Sequence, residues 1–352
     1  MSILEKIGLA AVNLMDPEKG HKLAIQSLNM GLVSAKEPYT SPRLHSKLAG
    51  LDLPNPIGLA AGFDKNAQVV APLLKAGFGF IEVGAATPLP QSGNPKPRLF
   101  RLTEDRASIN RFGFNNEGMR VIANRLSQRP ETGIVGLNLG ANKTSSHRAI
   151  DYVKVLETCG PYVDFATINV SSPNTEKLRD LQGRSALSAL VAGVMETRDL
   201  LDVKIPIFLK VAPDLTPADI EDISYVARMT RIDAVIATNT TVTRDGLRSP
   251  HAHETGGLSG APLFDMSTQV LAQFAVQLGK EVPLIGVGGI ANAKQAYSKI
   301  KAGASAVQLY TALVYGGFSL INKIAYDLDI LLEQDGFQHI SEAIGIEKET
   351  YL

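Results

Sequence analysis

The chain has little cysteine, and that shortage excludes several kinds of site. Its 352 residues include one cysteine, Cys159. A single cysteine rules out an internal disulfide and a zinc site built on several thiolates, and it fits a reducing compartment. Cys159 lies near the end of a predicted helix, where a small buried side chain is a more common role than a nucleophile.

Charge of one sign and long apolar runs are lacking as well. Lysine and arginine number 35, aspartate and glutamate also 35, so the formal net charge is zero. We therefore expect no nucleic-acid partner, which usually requires a basic surplus. No run of about 18 apolar residues is present to span a membrane. We also expect no signal or transit peptide, and no metal site, because the six histidines do not recur at ligand spacing.

From residue 55 onward, short apolar segments alternate with helical patterns such as Pro217–Met229. The eight candidate strands are Asn55–Phe63, Phe80–Thr87, Gly133–Gly140, Asp164–Ser172, Pro206–Asp214, Asp233–Thr241, Pro283–Ile290 and Ala306–Leu313. Eight right-handed crossovers close a parallel sheet, which predicts an α/β fold of the TIM (β/α)8 barrel type. An open doubly wound sheet is the alternative, but Ala60–Lys65 lacks its usual GxGxxG turn.

The residues before the barrel show a different pattern. Apolar residues recur at helical spacing in two stretches, and Asp16 and Pro17 between them suit a helix N-cap and first turn. We predict an amphipathic helical hairpin that either closes one end or side of the barrel or forms a surface for a membrane or a lipophilic ligand. We therefore divide the chain into an N-terminal helical segment, residues 1–40, and a catalytic barrel, residues 41–352.

Two segments that follow predicted strands are too long to be simple loops. Pro88–Asn116 follows the second strand and Val242–Phe264 follows the sixth. Structureless loops of this length are often functional lids, and we expect both to lie over the carboxyl ends of the strands.

Polar side chains gather where the predicted strands end. Thr167–Thr175 begins as a buried strand that Pro173 terminates, a pattern that taken alone is an ordinary turn. In barrels of this type, however, the carboxyl ends of the strands carry the active site. Further amides and hydroxyls occur at other strand ends, together with Lys65 and Lys210. This set suits a flat, polar, partly anionic ligand, and it lacks the carboxylate pair of a glycosidase.

Glycines in the last two strands suggest where a phosphate would bind. Gly286–Ile290 and Gln308–Thr311 end the seventh and eighth strands, whose loops often cradle a phosphate in these barrels. Tight packing is the alternative role for the glycines.

These motifs together resemble the dihydroorotate dehydrogenase family, in its membrane-associated class 2. The motifs that carry the resemblance are Ala60–Lys65, Ile109–Asn115, Asn169–Thr175, Lys210–Asp214, Ala237–Thr241, Gly256–Gly260 and Gly286–Ile290. The resemblance implies an FMN flavoprotein that oxidises (S)-dihydroorotate to orotate in de novo pyrimidine (UMP) synthesis and passes the electrons to a quinone. It also implies that the N-terminal hairpin guides the quinone from the membrane.

The resemblance also implies roles for single residues. Ser172 would be the general base, aided by Thr175, whereas the soluble class uses cysteine. FMN would be held by Ala61, Gly62, Lys65, Ala85, Asn138, Asn169, Lys210, Thr238, Gly260, Gly289, Tyr310 and Thr311. The substrate would be held by Lys65, Asn110, Arg111, Phe112, Gly113, Phe114, Asn169, Asn174, Asn239 and Thr240. The quinone tunnel would be lined by His21, Arg101 and Tyr310.

One position departs from the family pattern. Ala85 stands where many relatives have a threonine that contacts the flavin. Thr87 or a water molecule is expected to supply the missing hydrogen bond.

Three alternatives stay open at this point. They are the soluble class of the family with fumarate or NAD as acceptor, a flavin-free phosphate-binding barrel enzyme, and a non-catalytic scaffold docked on a membrane. Under the main hypothesis we expect a monomer on the cytoplasmic side of the cell inner membrane, in peripheral contact with the bilayer.

Overall fold

A computed structural model describes residues 3–32, 37–174 and 178–352 of the chain. The strands are β1 (Ser46–Leu48), β2 (Leu51–Leu53), β3 (Ile57–Leu59), β4 (Phe80–Ala86), β5 (Leu99–Leu102), β6 (Ala107–Asn110), β7 (Ile134–Leu139), β8 (Phe165–Asn169), β9 (Ile207–Val211), β10 (Ala234–Ala237), β11 (Gly257–Gly260), β12 (Leu284–Val287) and β13 (Ala304–Leu309). The helices are α1 (Ile3–Asn13), α2 (Pro17–Asn29), α3 (Val70–Lys75), α4 (Met119–Leu126), α5 (Arg148–Cys159), α6 (Arg184–Asp199), α7 (Pro217–Met229), α8 (Phe264–Leu278), α9 (Ala293–Lys301), α10 (Thr311–Gly316) and α11 (Ser319–Gln334).

Eight parallel strands form a closed barrel, so the predicted fold is confirmed. Their order is β3-β4-β7-β8-β9-β10-β12-β13, and β13 closes the barrel by pairing with β3. Seven of the predicted strand segments each contain one of them, and the eighth overlaps β13, which begins two residues earlier than predicted, at Ala304. The eighth prediction ran too far, because the chain turns at Tyr310 and α10 begins at Thr311. Ala312 and Leu313 are buried in that helix, and a short apolar run does not distinguish a strand from a buried helical turn.

The barrel interior has an apolar floor and a polar layer above it. Phe80, Phe165 and Phe208 fill the floor, and the β1–β2 hairpin closes it from below with Leu48 and Leu53. Glycines opposite the rings make room for them. A Cβ on Gly136, for example, would lie 2.1 Å from the Phe165 ring.

Closer to the carboxyl ends of the strands, two residues beyond Phe80 and Phe208, the interior becomes polar. The buried residues there are Glu82 on β4, Asn138 on β7, Lys210 on β9 and Gln308 on β13. The apolar floor therefore supports a polar layer close to the carboxyl ends of the strands, where the site was predicted.

The two long intervals are not structureless, so that part of the prediction is wrong. The first contains the antiparallel pair β5–β6, and the second contains β11, which pairs with β6. Phe100, Ile109 and Leu258 belong to a small hydrophobic core within this sheet. The pairing joins segments more than a hundred residues apart, which local patterns do not reveal.

The N-terminal residues form the predicted helical hairpin. The Asp16 side chain accepts a hydrogen bond from the backbone N–H of Lys19, and Pro17 occupies the first turn of α2. Leu14 and Leu32 remain 91% and 70% exposed. Within the described residues, no helix is both long enough and apolar enough to cross a bilayer.

Candidate active site

One cavity of about 880 Å³ runs from the carboxyl ends of the barrel strands to the space between α1 and α2. Every residue predicted for the substrate, the cofactor and the tunnel lines it, with the exception of Arg111. The fold therefore brings together residues that are scattered from His21 to Thr311 in the sequence.

Arg111 points away from the cavity. Its guanidinium donates to the Glu254 carboxylate at 2.7 Å and lies 4.6 Å from the centre of the Phe100 ring. Asn110 ends β6 and faces the cavity, and successive residues of an extended chain face opposite sides. Phe112 faces the cavity again. A direct substrate contact by the Arg111 side chain stays a prediction, and its position does not favour it.

Ser172 lies just after β8 and is 7% exposed. Its Oγ accepts a hydrogen bond from the backbone N–H of Asn174 at 3.3 Å. Asn174 in turn donates its Nδ2 to Asn110 Oδ1 on β6 at 3.2 Å. The serine thus faces the cavity where the barrel meets the β5–β6–β11 sheet. Thr175, the predicted aid to the base, lies outside the described residues.

A chain of carboxamides crosses the mouth of the barrel. Asn169 Nδ2 donates to Asn138 Oδ1 at 2.8 Å, and Asn239 Nδ2 donates to Asn169 Oδ1 at 3.3 Å. The Ser171 hydroxyl also donates to Asn169 Oδ1, at 3.1 Å. Thr240 donates its backbone N–H to Asn239 Oδ1 at 2.8 Å. The amides are therefore held in set orientations beside the cavity.

Two lysines bring positive charge into this buried region. Lys65 Nζ donates to the Gly62 carbonyl at 2.7 Å and lies 4.3 Å from the centre of the Phe112 ring. The pKa of Lys65 is lowered to about 8, chiefly by burial and to a smaller extent by the charge of Arg98, while the charges of Glu18 and Asp64 oppose the shift. Burial also lowers the pKa of Lys210, although the negative charge of Glu82 opposes this shift. Ammonium groups with so little water around them attract an anionic ligand strongly.

The glycine loop after β12 packs closely on the start of α8. At Gly289, where φ is +74°, a Cβ would lie 2.5 Å from Phe264 Cβ. The tight-packing role is therefore confirmed at this position. The same loop lines the cavity together with Gly260, Tyr310 and Thr311, so close packing does not prevent it from facing a ligand.

The tunnel residues lie where the hairpin meets the barrel. The Tyr310 hydroxyl is 3.5 Å from His21 Nδ1, and both rings pack against Phe63. Burial lowers the pKa of His21 to about 3, and Lys65 adds to the effect, so the imidazole is neutral at pH 7. Arg101 donates to the Asn13 carbonyl at the end of α1 at 2.7 Å.

Ala85 lines the cavity, but Thr87 does not compensate for it. The Thr87 hydroxyl donates to the Leu89 carbonyl at 2.7 Å and accepts from Asn116 Nδ2 at 2.8 Å. The side chain is fully buried away from the cavity. The expectation that Thr87 replaces the missing threonine is therefore wrong.

Glu82 and Gln308 are polar residues of the barrel that the sequence reasoning missed. Both are 0% exposed, and Gln308 lines the cavity. A carboxylate within the apolar run Phe80–Val83 was the available signal, because a charge is rarely buried without a purpose.

The residues present fit a phosphate-bearing ring cofactor. Amides, ammonium groups and a glycine loop surround the cavity, and Gln308 Oε1 is buried without a hydrogen-bond partner in the described part of the chain. In the same part, no three histidine, cysteine, aspartate or glutamate side chains are grouped as a metal site would require.

A closed β/α barrel whose mouth combines amides, lysines and a glycine loop defines an enzyme that acts on a polar ring-shaped ligand. The chain belongs to the dihydroorotate dehydrogenase family, whose family model matches residues 43–332. This is the family, dependent on a flavin, that the motifs predicted.

Individual relatives agree with this assignment. A dihydroorotate dehydrogenase (quinone) of Cereibacter sphaeroides is 60% identical over the whole length of both chains. One of Brucella ovis is 49% identical and covers 97% of this chain and 95% of its own. The crystal structure of a dihydroorotate dehydrogenase of Eimeria tenella in complex with ferulenol superimposes with a TM-score of 0.91 at 37% identity, covering 94% of this chain and 96% of its own. The quinone-dependent oxidoreductase is thus supported over the alternatives weighed from the sequence.

Proposed function

We propose that this protein uses FMN to oxidise (S)-dihydroorotate to orotate in de novo pyrimidine synthesis, with a membrane quinone as electron acceptor. The observation that carries the proposal is the continuity of one cavity, from the polar barrel mouth to the space between α1 and α2. A polar substrate and an apolar acceptor require such a pair of environments at one cofactor.

The substrate end combines the groups that a carboxylated pyrimidine needs. Lys65 offers a buried ammonium for the carboxylate. The carboxamides of Asn110, Asn169, Asn174 and Asn239 offer donors and acceptors for the ring edges, and Thr240 with residues 112–114 completes the set. Such fixed groups orient the substrate and stabilise charge that develops on its oxygens. Arg111 would contribute by holding the strand through Glu254.

The cofactor end would be formed by the two last barrel strands and their neighbours. Gly260, Gly289, Tyr310 and Thr311 would hold the phosphate, and Lys210 would supply positive charge to the ring. The remaining cofactor contacts would come from Ala61, Gly62, Lys65, Ala85, Asn138, Asn169 and Thr238. When bound, FMN supplies a ring that accepts a hydride and returns electrons to an external acceptor.

Ser172 would take the proton that the substrate loses. A serine hydroxyl is a weak base, so it needs a site that excludes water and a route for the proton. Ser172 is buried, and its Oγ accepts only one hydrogen bond, from Asn174, among the described residues. A lone pair is therefore left for a substrate C–H.

Residues 1–40 would form a membrane and quinone-access segment on the barrel of residues 41–352. Leu14, Met30 and Leu32 leave large apolar side chains exposed at the ends of the hairpin. Such side chains suit peripheral contact with a bilayer, here on the cytoplasmic side of the inner membrane. His21, Arg101 and Tyr310 would line the route of the quinone, and the protein would act as a monomer.

An assay of orotate formation with different acceptors tests the proposal. We expect turnover with a short-chain quinone and none with fumarate or NAD. Turnover with fumarate or NAD alone would instead assign the chain to the soluble class, and an absence of orotate with every acceptor would refute the activity.

A further inference from the structure

Glu82 is a buried carboxylate that the proposed chemistry does not use. It is 0% exposed and belongs to the polar layer of the barrel. Each of its oxygens accepts one hydrogen bond, Oε1 from Asn138 Nδ2 and Oε2 from Gln308 Nε2, both at 2.7 Å. Lys210 interacts with its charge from β9. A charge buried this deeply is tolerated only when it is paired and fully hydrogen-bonded.

The charge of Glu82 determines which way the neighbouring carboxamides face. A carboxylate accepts hydrogen bonds and donates none, so Asn138 must present its NH2 group to Glu82 and its carbonyl oxygen to Asn169. Asn169 then presents its NH2 group to Asn138 and its carbonyl oxygen to Asn239. Asn239 directs its own carbonyl oxygen to the backbone N–H of Thr240. One carboxylate thereby orients three amides in succession.

The same reasoning applies to Gln308 on the other side of Glu82. Its NH2 group is taken by Oε2 of the carboxylate, so its carbonyl oxygen faces elsewhere. That oxygen is buried and has no hydrogen-bond partner among the described residues, and the side chain lines the cavity. A buried carbonyl oxygen without a donor is costly, so this atom calls for a hydrogen-bond donor on whatever occupies the cavity. The oxidised isoalloxazine ring has a single N–H.

We propose that Glu82 is a positioning residue of the flavin site and that Gln308 is an additional cofactor-binding residue. Glu82 holds Asn138 and Gln308 in the orientations that the ring requires, and Gln308 Oε1 accepts the ring N–H. The inference rests on the proposed function, because it concerns the same cofactor.

Replacing the carboxylate by an amide of the same shape tests the proposal. Glu82→Gln must donate through its own NH2 group, so either Asn138 or Gln308 has to turn round. We expect the dissociation constant of FMN to rise at least tenfold and the visible flavin spectrum to change. Far-ultraviolet circular dichroism should show the parent fold.

A second variant, in which positions 82 and 308 exchange their side chains, controls for a loss of FMN binding that is caused by misfolding. Glu82→Gln combined with Gln308→Glu restores one carboxylate and one amide in the same place, so the buried charge and volume are conserved. The carbonyl oxygen of the new glutamine at 82 can still accept from Asn138, its NH2 group can donate to the new glutamate at 308, and the second oxygen of that glutamate still faces as an acceptor. We expect this variant to fold like the parent and to recover at least part of the FMN affinity that Glu82→Gln loses, because both orientations are restored.

The outcomes separate this inference from the proposed function. Parental FMN affinity and spectrum in Glu82→Gln, or a folded exchange variant that binds FMN no better than Glu82→Gln, would overturn the positioning role while leaving the enzyme assignment intact. Failure of the unsubstituted protein to bind FMN would overturn the proposed function, and this inference with it.

Discussion

At the scale of single residues, the proposed chemistry depends on where a few polar atoms lie. Ser172 Oγ faces the cavity with one hydrogen bond, and Lys65 holds its ammonium group between the Gly62 carbonyl and the Phe112 ring. Each arrangement leads to a prediction about the reaction of dihydroorotate with the flavin.

Ser172→Ala should slow reduction of the flavin by dihydroorotate by about 10²–10⁴-fold, the usual contribution of a general base. FMN should stay bound, because the cofactor contacts are made by other residues. Anaerobic stopped-flow measurement of flavin bleaching checks the rate, and Ser172→Cys is the matched control that should retain more of it. Bleaching at the parental rate in Ser172→Ala would remove the serine from the mechanism.

Lys65 should make orotate binding sensitive to alkaline pH. Burial lowers its pKa to about 8, so the ammonium group that binds the carboxylate is lost as the pH rises through about 8. The dissociation constant of orotate, followed by the change in the flavin spectrum, should therefore increase above that pH. Lys65→Gln should bind weakly at every pH, and a constant affinity in the unsubstituted protein would contradict the assignment.

The lowered pKa of Lys65 also makes the folded protein more stable as the pH rises, although substrate binding weakens. The pKa of Lys65 is lower in the folded protein than in the unfolded chain, where it is near 10.5. Between pH about 8 and 10.5 the unfolded chain binds the extra proton, so the destabilising effect of burying Lys65 is relieved as the pH rises.

At the scale of elements, helix α2 is tied to the segment that carries the substrate residues. Glu18 in its first turn accepts hydrogen bonds from Arg98 Nε and Nη2 at 3.2 and 2.8 Å. Arg98 also donates to the carbonyls of Ser92 and Asn94 and lies 5.5 Å from the centre of the Phe112 ring. Arg98 therefore connects the helical hairpin to the substrate end of the cavity through hydrogen bonds.

Deleting residues 1–40 should abolish quinone reduction while dihydroorotate oxidation by an artificial acceptor persists. The deletion also removes Glu18 and leaves the buried guanidinium of Arg98 without its carboxylate, so the affinity for dihydroorotate should fall. Glu18→Gln isolates that second effect, and it should reproduce the change in KM for dihydroorotate without loss of quinone turnover. Equal quinone turnover in the truncated protein would refute the access route.

Some of these elements could be predicted from the sequence, and others could not. The barrel strands were predictable because each is a continuous apolar run, and α7 begins at Pro217 and ends at Met229, as the helical pattern predicted. The β5–β6–β11 sheet was not predicted: β5 and β6 are close in sequence, but β11 pairs with β6 from more than a hundred residues away. The inward direction of Glu82 and the outward direction of Arg111 depend on neighbours across the barrel and the sheet, which no local pattern records.

At the scale of the whole molecule, large apolar side chains are exposed both on the hairpin and at the far end of the barrel. The hairpin exposes Leu14 and Leu32, whereas the opposite end of the barrel exposes Leu200 and Val203 on the loop that enters β9. If the hairpin meets the bilayer, only the first pair affects membrane binding.

Leu14→Ser with Leu32→Ser should therefore reduce cosedimentation with phospholipid vesicles several-fold, because apolar area is lost from the contact. Leu200→Ser with Val203→Ser removes a similar apolar area at the other end and should leave vesicle binding unchanged. An equal loss in both double variants would show that the hairpin is not the membrane-facing surface.

The central claim is that one flavin, held at the barrel mouth, receives electrons from dihydroorotate and gives them to a quinone. Anaerobic mixing of the FMN-loaded protein with dihydroorotate, followed by addition of a quinone, tests it most directly. The account predicts that the visible flavin absorption is bleached by dihydroorotate and restored by the quinone. A flavin that keeps its colour with dihydroorotate, or that bleaches but is not reoxidised by a quinone, would contradict it.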